Sequence, residues 1–76
     1  MTAESIELLE SGIAHYNYTI RRYNHNSTPG NEIKVYAAQK YLNGMVNMVH
    51  ALTGISIKFV HTDFTMFSEI TGYITK

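Results

Sequence analysis

Residues 35–52, VYAAQKYLNGMVNMVHAL, decide the fold, because they support two incompatible readings. At helical period, Val35, Ala38, Leu42, Met45, Val49 and Leu52 fall at spacings of 3, 4, 3, 4 and 3, which draws an apolar stripe down a helix. That helix would carry Asn43-Gly44 near its middle, where glycine costs about 1 kcal/mol relative to alanine. At strand period the same dipeptide is the preferred two-residue type I′ hairpin turn. Ile33, Val35, Ala37 and Tyr41 then precede it, and Val46, Met48 and Leu52 follow. The helix penalty and the match to a hairpin turn favour strands over 32–42 and 45–53.

The segments on either side are less ambiguous. Ile6, Leu9, Ile13, Tyr16, Ile20 and Tyr23 form a 3, 4, 3, 4, 3 stripe that predicts an amphipathic helix over 3–25. Thr2 suits its N-cap, Glu4 and Glu7 suit the positive end of the helix dipole, and Arg21 and Arg22 suit the other end. Asn24 to Asn31 is a polar break containing Pro29-Gly30, a pair fitted to the central positions of a type II turn. Thr53-Gly54 is a second break. Ile55-Ser56-Ile57-Lys58-Phe59 alternates strictly and predicts a strand over 55–61, and a polar corner at His61-Thr62-Asp63 leads to a returning strand over 64–75.

The expected fold is therefore α+β: one long N-terminal helix packed on an antiparallel meander of three or four strands. The competing expectation is an all-α helical hairpin, which leaves the strand-like C-terminal third short of partners.

Composition bounds the function. Seventy-six residues, 45% hydrophobic and 16% charged, make one folded domain that buries about 60% of its unfolded surface. Six basic residues balance six acidic ones. With no basic cluster beyond Arg21-Arg22, nucleic acid is not an expected partner. No run approaches the roughly 18 apolar residues of a membrane span, so no membrane partner is expected either, and no compartment is indicated. The absence of cysteine removes disulfides, thiolate metal sites and cysteine nucleophiles. His15, His25, His50 and His61 stand singly, without metal-ligand spacing. The carboxylates suggest no pair held in a cleft, and the glycines form no phosphate loop. No metal, cofactor or catalytic residue is assigned, and an enzyme is not expected. Asn17-Tyr18-Thr19 and Asn26-Ser27-Thr28 fit the N-glycosylation acceptor pattern, which chance also supplies in an asparagine- and threonine-rich chain.

In the meander, the tips at Lys40-Tyr41-Leu42-Asn43-Gly44 and at Thr62-Asp63-Phe64 would lie at the same end of the sheet, where binding residues collect. His15-Tyr16-Asn17-Tyr18-Thr19-Ile20, followed by Tyr23-Asn24, resembles the cystatin helix pattern Leu-Ala-x-Phe-Ala-Val-x-x-x-Asn. Val35-x-Ala37, Gly44, Gly54, Lys58-Phe59-Val60 and Phe67-x-Glu69-Ile70 fall at intervals similar to those of plant-type cystatins. The resemblance covers roughly residues 15 to 73.

The resemblance implies a wedge that enters the cleft of a papain-like cysteine protease. The Gln-x-Val-x-Gly loop would fall on Lys40, Leu42 and Gly44, with lysine in place of glutamine. The Pro-Trp tip would fall on Asp63-Phe64, keeping an aromatic anchor without the proline. Lys40, Tyr41, Leu42, Asn43, Gly44, Asp63 and Phe64 are then the expected partner-binding residues, with Leu42 and Phe64 as anchors. A different expectation is a non-inhibitory module that forms a homo-oligomer through a sheet edge or the helix face.

Overall fold

The computed structural model describes residues 2–63 and 67–76. Two long helices, α1 (Ala3–His25) and α2 (Pro29–Thr53), are followed by strands β1 (Ile57–His61) and β2 (Ile70–Thr75). The chain is α+β, and the strands among the described residues form one antiparallel hairpin.

α1 has the bounds its stripe predicts. Thr2 caps it, its hydroxyl accepting from the Ser5 N–H at 3.1 Å. Leu9, Tyr16 and Ile20 are buried, while Ile6, Ile13 and Tyr23 are half-buried along the same stripe.

The strands expected over 32–42 and 45–53 are instead the single helix α2. Gly44 does not take the positive φ that a type I′ turn requires at both central positions; among the described residues Gly54 alone does. The expected type II turn at Pro29-Gly30 is likewise the first turn of α2. Thr28 accepts from the Asn31 N–H at 3.2 Å, Pro29 takes the first helical position, and Glu32 favours the dipole. Burial accounts for the outcome. Val35, Ala38 and Leu42 are all buried at helical spacing, and the burial of Val35 and Leu42 at about 1.5–3 kcal/mol each outweighs a glycine penalty of about 1 kcal/mol. The helix ends at Gly54, whose φ of 75° is the left-handed cap that glycine adopts without a steric penalty.

The C-terminal strands are shorter than expected. β1 covers 57–61 of the expected 55–61, and β2 covers 70–75 of the expected 64–75, where residues 64–66 lie outside the described residues. The ladder pairs Ile57 with Thr75 and Phe59 with Tyr73, then shifts between Val60 and His61. Thr71 is the extra residue of that bulge, and its hydroxyl donates to the Val60 carbonyl at 3.2 Å.

A two-stranded ribbon is marginal alone, so its attachment to the helices matters. Ile70 enters the core with Tyr16, Ile20, Val35, Ala38 and Leu42. Phe67 packs with its ring centre 4.9 Å from that of Tyr23 of α1, tilted by 39°, and meets Tyr36 of α2 edge-on at 5.7 Å. Arg21 pairs with Glu69 at 3.3 Å across the same junction. The hairpin thus covers one face of the helix pair.

Candidate functional site: the uncovered face of the helix pair

The opposite face carries an open groove of about 710 Å³ between α1 and α2. From α1 it takes Ser11, Gly12, His15, Tyr18 and Arg22, and from α2 Lys34, Ala37 and Tyr41. Gly12 sets the depth of the groove. A methyl group placed there would lie 2.9 Å from Leu42 Cδ2, so only glycine lets the two helices approach this closely without a shift.

The α1 wall continues beyond the groove. Glu4, Leu8, Ser11, His15, Tyr18 and Arg22 recur at spacings of 4, 3, 4, 3 and 4 and are all exposed, forming a second stripe beside the buried one. Met48 and Leu52 extend the α2 wall toward the same end as Leu8. Leu8 is 59% exposed, Met48 64% and Leu52 79% toward that end, and Tyr41, 56% exposed, stands beside Gly12 near the middle of the face. The other end is cationic: Arg22 and Lys34 line the groove, and among the described residues no acidic side chain does. Arg22 Nη1 donates to the Tyr18 hydroxyl at 3.0 Å, with its guanidinium 5.7 Å from the ring centre, so the two side chains form one wall.

The structure disperses the sequence-predicted site. Lys40, Tyr41, Leu42, Asn43 and Gly44 occupy consecutive positions of α2, about 100° apart, and cannot share one edge as a hairpin tip would. Lys40 and Gly44 are exposed, Tyr41 faces the groove, and Leu42 is 2% exposed in the core. Asn43 lines a small dent of about 230 Å³ on the covered side with Tyr16, Gln39, Phe59 and His61. Asp63 is exposed beyond β1, its carbonyl accepting from the Ser68 hydroxyl at 3.2 Å, and Phe64 lies outside the described residues. Of the six that lie among the described residues, Tyr41 alone lines the groove.

The remaining sequence candidates are used locally. Asn17 of the first glycosylation pattern spends its amide on Ile70, and buried Thr19 donates its hydroxyl to the His15 carbonyl at 2.8 Å. Thr28 of the second pattern caps α2. Among the described residues no group of three or more His, Asp or Glu side chains is placed to hold a metal ion, and no helix is long and apolar enough to cross a membrane. Sequence reasoning followed only the inner stripe of α1; the outer one was visible in the same spacing arithmetic.

No protein-family model, curated protein or solved structure matches this chain.

Proposed function

We propose that this chain is a non-catalytic protein-docking module that receives its partner on the uncovered face of the helix pair. One observation carries the reading: Tyr41 lines the groove, and Leu8, Met48 and Leu52, which helical spacing sets on the same two walls, are like Tyr41 more than half exposed. Scattered apolar residues are ordinary on a protein surface, but large exposed ones aligned along one face are the pattern of an interaction site. Tyrosine and methionine are also residue types enriched at such sites. Inhibition of a papain-like protease by a two-hairpin wedge draws no support from this geometry, because residues 40–44 are helical.

A docking face is dispensable to the monomer, and that is the test. Leu8→Lys, Met48→Lys and Leu52→Lys are combined and the protein is studied at low micromolar concentration. The helical CD signal is expected to persist, the melting temperature to stay within a few degrees of the parent, and binding of a hydrophobic dye to fall. Loss of helix or a much lower melting temperature would assign these side chains to the fold and overturn the reading.

A further inference from the structure

We propose that the partner is a second copy of this chain, docked antiparallel through the same face about a two-fold axis that crosses α1 level with Ile13. This rests on the docking reading above and names its occupant.

The outer stripe of α1 is complementary to its own reverse. Glu4 and Arg22 lie equally far on either side of Ile13, as do Leu8 and Tyr18, and Ser11 and His15. Antiparallel pairing of α1 with its copy therefore sets each Glu4 against an Arg22, each Leu8 against a Tyr18 ring, and each Ser11 against a His15. Glu4 and Arg22 are separated by about 27 Å along the helix, so both ends of the contact are fixed by opposite charges. An isologous contact of this kind uses one patch twice and closes at two copies.

α2 falls into the same register without adjustment. A methyl group on Gly12 would lie 3.4 Å from Tyr41 Cε1, so Tyr41 stands nearly level with the axis and would face its own copy. Lys34 and Met48 lie symmetrically about Tyr41. The pairing lays the aliphatic stem of each Lys34 along a Met48 while its ammonium reaches water. A two-fold axis running parallel to the helices over α1 would instead set Glu4 on Glu4 and Arg22 on Arg22. Such like-charge contacts select against that register.

The test is sedimentation equilibrium from micromolar to several hundred micromolar protein, in low and high salt. The parent is expected to dimerise, more tightly in low salt. Arg22→Glu and Glu4→Arg should each weaken the dimer about tenfold, since each places like charges at both ends of the contact. The double variant Glu4→Arg/Arg22→Glu restores every pair and should return to within about threefold of the parent. A parent that stays monomeric overturns the second-copy inference alone, leaving the docking reading to its own melting and dye-binding test. A dimer that the double swap does not rescue overturns the antiparallel register. A dimer that survives Leu8→Lys/Met48→Lys/Leu52→Lys unchanged overturns the docking face itself, and the inference with it.

Discussion

Asn17 and Ile70 are joined as two residues of a β-ladder would be: Asn17 Nδ2 donates to the Ile70 carbonyl at 2.8 Å, and Asn17 Oδ1 accepts from the Ile70 N–H at 2.7 Å. A side-chain amide on a helix thereby satisfies both backbone groups of the first residue of β2. Ile70 meanwhile buries its side chain between the helices. Ile70 thus ties the β-hairpin to α1 by polar and apolar contact together.

Asn17→Ala removes both hydrogen bonds and leaves two part-buried backbone groups unsatisfied, which should cost about 2–3 kcal/mol. The loss is expected to be local. Amide exchange should accelerate across 57–61 and 70–75 more than in the centres of α1 and α2, because the hairpin can detach while the helix pair persists. Asn17→Asp keeps an acceptor for the Ile70 N–H but sets a carboxylate oxygen against its carbonyl, and should be no better than alanine. Uniform acceleration across helices and strands would show that the anchor supports the whole fold rather than the hairpin.

Gly44 and Gly54 should respond oppositely to alanine. Gly44 sits mid-helix without positive φ, and nothing lies within 4 Å of an added methyl group, so Gly44→Ala should stabilise the protein by about 1 kcal/mol. Gly54 has φ of 75°, and Gly54→Ala should cost about 1 kcal/mol. Thermal or urea denaturation reads both. Destabilisation by Gly44→Ala would indicate a turn at Asn43-Gly44 in place of α2.

Where local signals agreed, the fold was legible. Over α1 the apolar stripe, the Thr2 cap and the charge gradient all pointed to one helix, and the alternation of residues 55–59 pointed to a strand. Over α2 they conflicted. Pro29-Gly30 and Asn43-Gly44 read as turns, while Thr28 before Pro29 and the stripe from Val35 read as a helix. The conflict was settled by the burial of Val35 and Leu42 against α1, an energy that no local dipeptide preference reports. The role of Asn17 was not legible at all, since its partner lies 53 residues away in the sequence. Tyr41 reads in the sequence as part of a hairpin tip, and it lines the groove because it lies on the outer side of a helix.

Gly12→Ala sets helix propensity against packing. The substitution should gain about 1 kcal/mol of intrinsic helix stability, but the new methyl group would lie 2.9 Å from Leu42 Cδ2 and 3.3 Å from Met45 Cε. The Met45 methyl can move aside. Leu42 is held by the core, so overpacking of about 2 kcal/mol should prevail and leave a net loss near 1 kcal/mol. Gly12→Val, with two further methyl groups, should lose several times more. A stabilised Gly12→Ala variant would mean that Leu42 has a second rotamer available and that the groove is shallower than described.

Papain titrated with this protein should keep its full activity at micromolar concentrations. A wedge that fills a protease cleft needs a tight backbone turn with its apolar side chains on one edge. Residues 40–44 instead present a regular helix whose Leu42 is turned into the core. A helix is about 10–12 Å across with its side chains, and its backbone N–H and C=O groups are committed internally, so it can offer a cleft little of the main-chain contact that a hairpin offers. Leu42→Ala should accordingly lower stability by about 2–5 kcal/mol without any change in protease activity. Inhibition by the parent, lost in a folded Lys40→Ala/Asp63→Ala variant, would restore the protease-binding reading and require a binding mode other than the helix described here.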